Sequence, residues 1–155
     1  MKIKDIEITQ ANVADLAVIL ALQKLSYQSE AEIYNDYQIQ PLTQTLSSVL
    51  LEFQSGVILK ASKGSTIVGS VRAQIIDGTC QIGKLIVHPA EQNKGLGSAL
   101  IKKIEDKFKM AKRYELFTGS QSLKNINLYK KLGYILFDTQ KINDQFELVF
   151  LQKNN

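Results

Sequence analysis

The stretch Leu85-Ile86-Val87-His88-Pro89-Ala90-Glu91-Gln92-Asn93-Lys94-Gly95-Leu96-Gly97-Ser98 constrains this chain more than any other. An apolar strand runs into a short loop with two glycines, and a helix begins there. Glycines let a backbone approach a ligand closely, while the first N–H groups of a helix and its positive dipole end favour a bound anion. That is the physics of a pyrophosphate site, with Lys94 in the loop and Ser98 in the first turn placed to add side-chain contacts. Two better-known phosphate loops do not fit. A Walker loop needs G-x-x-x-x-G-K-[ST], whereas Lys94 precedes Gly95; the dinucleotide fingerprint needs a third glycine where Leu100 stands. Taken alone, the Gly95 and Gly97 pair reads equally as loop and helix-packing chemistry.

The flanking pattern predicts one mixed sheet. Ile3 to Gln10 alternates through Ile6 and Ile8 as a half-buried strand does. Asn12 then caps a helix to about Gln28, with Val13, Leu16, Ile19, Leu20 and Leu25 on its apolar face. Pro41 disfavours helix at Gln40 and precedes a second helix from about Leu42 to Phe53. Three β-rich runs follow, Val57 to Ser62, Thr66 to Ile76 and Thr79 to Val87; Asp77-Gly78 between the last two is a strong hairpin signal.

A longer helix from Gly95 to about Ala111 turns Leu96, Leu100, Ile101, Ile104, Phe108 and Ala111 inward and Lys102, Lys103, Glu105, Asp106 and Lys109 to water. Strand (Tyr114 to Thr118), helix (Ser122 to Leu132), strand (Tyr134 to Thr139) and strand (Gln145 to Leu151) complete the chain, with Gly133 as a C′ glycine. The order βααβββαβαββ predicts an α/β (α+β by some schemes) fold: a mixed, mostly antiparallel sheet with helices on both faces.

Composition narrows the function classes. At 155 residues the chain is expected to form a single domain, 1–155, with an ordinary globular balance of apolar and charged residues. Neither a membrane-spanning run nor a signal peptide is legible, so the cytoplasm is the expected location and no membrane partner is expected. The lone Cys80 and lone His88 form no metal-ligand cluster, and both read as structural. The formal charge of +4 comes from dispersed lysines rather than a basic stripe with aromatics, so nucleic acid is not an expected partner.

Gln92-Asn93-Lys94-Gly95-Leu96-Gly97 matches the Q/R-x-x-G-x-G/A signature of the GNAT acetyltransferases, preceded by that family's strand and proline. Ser122-Leu123-Lys124-Asn125-Ile126-Asn127-Leu128-Tyr129-Lys130-Lys131-Leu132-Gly133-Tyr134 resembles the second signature, a helix with asparagine and tyrosine ending in Leu-Gly-aromatic. The two segments stand in the family's order and separation, and the resemblance spans nearly the whole chain.

The resemblance implies acetyl transfer from acetyl-CoA to a primary amine by direct attack, without a metal. It assigns the backbone of Leu85, Ile86 and Val87 to the pantetheine arm and the amides of Asn93, Lys94, Gly95, Leu96, Gly97 and Ser98 to the pyrophosphate, with Gln92 supporting the turn. Ser122, seven residues before the tyrosine, and Asn125, four before it, are candidate cofactor contacts. Tyr129 resembles the family's general acid, a phenol protonated at pH 7 that can protonate a departing thiolate. The alternative is a tyrosine packed on the apolar face beside Leu128 and Leu132.

The general base is not settled by the resemblance. Where many relatives carry a glutamate on a central strand, this chain has Gln81 and Lys84, and Glu115 lies early in its strand. Glu30, in the segment after the first helix, is the candidate; a solvated helix end is the other reading. The acceptor is a small-molecule or protein amine, and a homodimer is an expectation carried from the family. Use of a longer acyl-CoA, or CoA binding without turnover, remain alternative functions.

Overall fold

Asp77 and Gly78 both lie at positive φ, 51° and 82°, as a two-residue type I′ turn demands. They join the strands Thr66–Ile76 and Thr79–Val87, with the bounds expected from sequence. The computed structural model describes residues 5–155. Its strands are β1 (Ile6–Gln10), β2 (Val57–Lys63), β3 (Thr66–Ile76), β4 (Thr79–Val87), β5 (Arg113–Gly119), β6 (Ile135–Asn143) and β7 (Phe146–Asn154). They form one sheet ordered β1-β2-β3-β4-β5-β7-β6, in which β4 and β5 are parallel and the other neighbours antiparallel. The mixed, mostly antiparallel sheet is therefore present; Ile3, assigned to the first strand, lies outside the described residues.

Between β1 and β2 the expected pair of helices is replaced by four helical segments: α1 (Leu16–Ser26), α2 (Gln28–Tyr34), α3 (Gln40–Thr43) and α4 (Leu46–Ser55), after a 3-10 turn at Val13–Asp15. The reasons are local. Asp15 Oδ2 accepts the Asn12 amide at 2.9 Å and fixes the 3-10 turn, so α1 begins at Leu16. At Tyr27 the backbone leaves the helix (φ −84°, ψ 0°), and α2 ends on Asn35 in the left-handed region, which asparagine tolerates. Gln40 opens α3 despite its proline neighbour, because Pro41 occupies the first turn, where a missing N–H costs nothing. Thr45 then caps α4, its hydroxyl accepting the Ser48 amide at 3.2 Å.

This phasing corrects the predicted apolar stripe. From Leu16 the buried positions run through Ile19 and Leu20 to Gln23, so Val13 and Leu25 fall off the stripe and are exposed. Leu22 and Gln23, which the predicted stripe left out, are buried instead.

On the other face, α5 (Leu96–Lys107) buries Leu96, Leu100, Ile101 and Ile104 against the sheet, and α6 (Leu123–Lys131) adds Ile126 and Tyr129 to the same core. Leu16, Ile19, Leu20 and Val49 form the core on the α1 and α4 side with Ile58 and Ile86. Helices thus cover both faces. The α5 helix stops before the predicted Ala111 because Phe108 turns to φ −127°, ψ 44°. Glu105, expected to face water, accepts Tyr134 Oη at 2.7 Å and Lys153 Nζ at 3.0 Å. Among the described residues no helix is long and apolar enough to cross a membrane.

Two irregularities in β4 open the sheet near its centre. Pairing of β4 with β5 is confined to Thr79–Gln81 opposite Arg113–Glu115, so the C-terminal halves of these parallel strands separate. The separation coincides with a register shift between Ser70 and Arg72 of β3, opposite which Lys84 of β4 takes φ 51°. A bulge of this kind bends its strand and re-aims a side chain.

Candidate active site

The opening between β4 and β5 lies at the carboxyl ends of two parallel strands, with a helix start beyond each: α5 after β4 and α6 after β5. Ligands of open α/β sheets bind in such crevices, because separated strands leave backbone groups and helix N-termini facing one space. Leu85, Ile86 and Val87 form the β4 wall of that opening, past the last residue paired to β5.

The loop from Gln92 to Ser98 closes one end. Asn93 and Gly95 lie at φ 64° and 87°, two left-handed residues within three positions, which turns the chain tightly into α5. Gln92 braces the turn: its Nε2 donates to the Val87 carbonyl at 3.1 Å and its Oε1 accepts Lys124 Nζ at 3.1 Å. The first intrahelical acceptor is used by Ala99, which donates to the Gly95 carbonyl at 3.1 Å. The Leu96, Gly97 and Ser98 amides precede it and meet no backbone acceptor among the described residues. This donor set suits a bound diphosphate. At Gly97 a Cβ would stand 3.3 Å from Leu128 of α6 and 3.8 Å from Leu85 of β4, so the glycine keeps the loop, strand and second helix in close approach. Lys94 is turned back, 3.3 Å from Glu91, which also holds Lys63 at 3.1 Å.

Glu30 is the hub of the other end. It sits on α2, not in a loop, and both carboxylate oxygens are engaged: Oε2 accepts the Ser122 hydroxyl at 2.8 Å and Oε1 accepts Asn125 Nδ2 at 2.7 Å. Since a carboxylate only accepts, Ser122 must donate to it, which leaves Ser122 Oγ to accept Tyr34 Oη at 2.7 Å. Tyr34 Oη in turn accepts the Gln121 amide at 3.0 Å. Asn125 also donates to Thr118 Oγ1 at 3.2 Å. The two residues carried as cofactor contacts, Ser122 and Asn125, thus have their side chains committed to Glu30, and Glu30 is no solvated helix end.

Tyr129 is 6% exposed on the inner face of α6, its ring tilted against Tyr134 with centroids 6.2 Å apart. No side-chain hydrogen bond among the described residues uses its hydroxyl. Burial pushes the phenol above its ordinary range, and the neighbouring Tyr27 and Glu30 push it further, so the three groups lie within electrostatic reach of one another. Tyr27 is itself pushed up to about 12, by burial first and then by Glu30, with Arg72 opposing.

A buried polar cluster adjoins this centre on the side of α1, α3 and α4. Arg72, 5% exposed, donates through Nη2 to Gln23 Oε1 at 2.7 Å and Gln44 Oε1 at 2.8 Å. Its Nε stands 2.7 Å from Glu52 Oε2 as an ion pair. Gln23 Nε2 donates to the Pro41 carbonyl at 2.8 Å and to Gln44 Oε1 at 2.9 Å, tying α1 to α3. Sequence reasoning missed Arg72 and Glu52. The available signal was the single charge within Gly69-Ser70-Val71-Arg72-Ala73, a run of otherwise small or apolar strand residues.

The remaining candidates lie elsewhere. Glu115 pairs with Arg113 at 2.7 Å on β5. Cys80 is buried, which pushes its thiol up to about 12 and leaves it inert at neutral pH. His88 Nδ1 accepts the Ala90 amide at 3.0 Å, a local cap on the loop. Among the described residues no three of His, Cys, Asp and Glu gather as a metal site requires.

Comparison with known proteins places this arrangement. The model of the acetyltransferase (GNAT) family matches residues 19–134. A search of curated proteins by sequence finds no match. Among solved structures, the PaiA N-acetyltransferase of Thermoplasma acidophilum in complex with coenzyme A superposes with a TM-score of 0.81 at 18% identity, over 97% of this chain and 99% of that one. YncA of Salmonella typhimurium, a putative acetyltransferase with acetyl-CoA, gives 0.76 at 21% identity, over 97% and 94%. The ribosomal-protein-S18-alanine N-acetyltransferase of Escherichia coli gives 0.79 at 12% identity, over 96% and 93%.

Proposed function

Because this chain belongs to the acetyltransferase (GNAT) family and so transfers acetyl groups from acetyl-CoA, we propose that it acetylates a primary amine by direct attack, with Tyr129 as general acid and Glu30 as the group that receives the amine proton. The observation that carries this reading is the buried Tyr129, whose hydroxyl makes no side-chain hydrogen bond among the described residues, on the same helix whose Asn125 holds the Glu30 carboxylate.

Acetyl-CoA supplies the acyl group as a thioester, so transfer forms an amide C–N bond as the C–S bond breaks. The Leu96, Gly97 and Ser98 amides hold the diphosphate, with Asn93, Lys94 and Gly95 shaping the loop and the Leu85–Val87 backbone flanking the arm. Lys94 is available as well, since an exposed pair such as Lys94–Glu91 is worth at most about 1 kcal/mol. Tyr129, held protonated by burial, gives its proton to the departing sulfur. Glu30 keeps lone pairs beyond those used by Ser122 and Asn125, and takes the proton that the amine loses. Solvent returns that proton to Tyr129. The same free hydroxyl favours turnover over CoA binding alone, because a packing tyrosine needs no such donor. A lone, buried, unreactive thiol and dependence on acetyl-CoA favour the cytoplasm as the compartment.

The test is a panel of primary amines assayed with purified protein for acetyl-CoA-dependent release of free CoA. Turnover of an amine, abolished by omitting it, is the expected result; acetyl-CoA binding without turnover on any small or peptide amine would overturn the catalytic reading.

A further inference from the structure

Along β5, Tyr114, Leu116 and Thr118 are buried on the side of α5 and α6, so Glu115, Phe117 and Gly119 turn to the opposite side, that of α2. There a Cβ on Gly119 would overlap the hydroxyl of Tyr34, whose ring also meets Phe146 edge-on at 4.6 Å. Beyond Tyr34 the face is open. Phe117 is 54% exposed, past the last β5 residue that pairs with β4, and its ring lies 5.5 Å from that of Phe150, its partner on β7. Phe150 in turn lies 6.4 Å from Phe137 of β6. Leu136 pairs with Leu151 and Asp138 with Phe150, so Phe137 is the extra residue of a bulge, re-aimed onto this face. The Arg113 guanidinium lies over its ring at 5.4 Å. Core burial does not account for the row, because Phe137 is still 40% exposed. A contiguous apolar surface left open in this way marks a place where a partner sits.

The row begins at the site. Phe117 lies two strand residues, about 6.6 Å, from Gly119 on the same face. The Tyr34 hydroxyl over Gly119 is joined to Glu30 through Ser122 by two hydrogen bonds, of 2.7 and 2.8 Å. From there the three rings cross the neighbouring strands β5, β7 and β6 at spacings of 5.5 and 6.4 Å. Alternate side chains of an extended polypeptide stand about 6.6 Å apart, close to these spacings, whereas a short alkyl or aryl substituent covers one ring. Arg113 and Glu115, which share the face, answer each other at 2.7 Å, so the row suits uncharged side chains. We propose that the acceptor is a polypeptide, bound extended with apolar side chains on Phe117, Phe150 and Phe137 while its amine meets Glu30 and Tyr129. Phe117 is then a specificity-determining residue, reading the side chain nearest the amine. This rests on the amine-acetylation reading and specifies its substrate.

The test follows free CoA release by the whole protein on short peptides with one free amine, N-terminal or on a lysine. Each peptide is made in two forms, with leucine or phenylalanine at alternate positions beside the amine, or with serine there; phenethylamine and diamines are the small-molecule arm. In the wild type, kcat/KM for at least one apolar peptide is expected to exceed that of its serine form tenfold or more, mainly through KM. Phe117→Ser should lower kcat/KM for that peptide at least fivefold and leave its serine form and acetyl-CoA affinity within twofold, with Phe117→Leu restoring part of the preference. Serine forms used as well as apolar ones, or an equal loss on both in Phe117→Ser, would overturn the proposal while leaving amine acetylation standing. So would turnover of the small amines alone. A wild-type dimer that Phe117→Ser converts to monomer with peptide preference unchanged would assign the row to contact between two copies and overturn it as well. Release of CoA with no amine in the panel, despite acetyl-CoA binding by calorimetry, would instead bring down the amine-transfer reading and this one with it.

Discussion

Asn125 Nδ2 donates to Glu30 Oε1 at 2.7 Å, joining α6 to α2 across 95 residues of sequence. With the Ser122 contact on the other oxygen, it fixes a carboxylate at the mouth of the β4–β5 opening. Both donors are neutral, so Glu30 keeps its negative charge available to a proton or an ammonium.

Glu30→Gln tests that charge with the shape retained. A glutamine oxygen can still accept from Asn125, and its amide can donate to the Ser122 hydroxyl once that hydroxyl turns. Melting temperature is expected to fall by only a few degrees, corresponding to about 1 kcal/mol. Turnover on an identified amine should fall about 10²-fold, with acetyl-CoA affinity preserved. Unaltered kinetics would remove Glu30 from proton transfer.

For Tyr129→Phe the fold offers a clean separation of chemistry from packing. The hydroxyl makes no side-chain hydrogen bond among the described residues, so its loss takes no protein partner with it, and stability should stay close to wild type. A kcat lower by about 10²-fold or more, with acetyl-CoA affinity unchanged, is the expected kinetic outcome. Substantial destabilisation with turnover intact would mark the residue as a packing element instead.

The pH profile follows from the direction of the Tyr129 shift. Burial, then Tyr27 and Glu30, raise the phenol above its usual 10, so its protonated, acid-competent form persists to higher pH. No descending limb of kcat from this group is expected between pH 7 and about 10. A limb with its midpoint within that range, measured at saturating acceptor, would show the proton leaving too early for the assigned role.

Gly97→Glu should abolish acetyl-CoA binding in a calorimetric titration. The new side chain would start 3.3 Å from Leu128 and bring a negative charge to the amides that receive the diphosphate. Affinity equal to wild type would disprove the loop assignment.

Gly119 offers a complementary test of the hub. A Cβ there would overlap the Tyr34 hydroxyl, the group that donates to Ser122. Gly119→Ala is expected to cost about 1–3 kcal/mol through overpacking and to lower turnover, because Tyr34 must leave the chain that orients Glu30. Circular dichroism melting and the amine assay read the two effects separately. A full-activity, full-stability variant would contradict the overlap.

The linear order of residues determined those features whose physics is local. Asp77-Gly78 meets the dihedral demands of its own turn, Gly95 and Gly97 supply a loop that opens a helix, and apolar periodicity defines β3, β4 and α5 within short windows. The two family signatures belong to this class, since each lies within one strand–loop–helix or one helix–turn segment. Tertiary structure decided the rest. The confinement of β4–β5 pairing to three residues coincides with a bulge in β4 opposite a register shift in β3. Glu30 becomes a hub because α2 turns at Tyr27 and meets α6, nearly a hundred residues away. Arg72 is tolerated in the core because Gln23, Gln44 and Glu52 arrive from separate segments of the α1–α4 region to match it. No window of sequence contains those partners, and a buried charge is stabilised by its partners' positions in space.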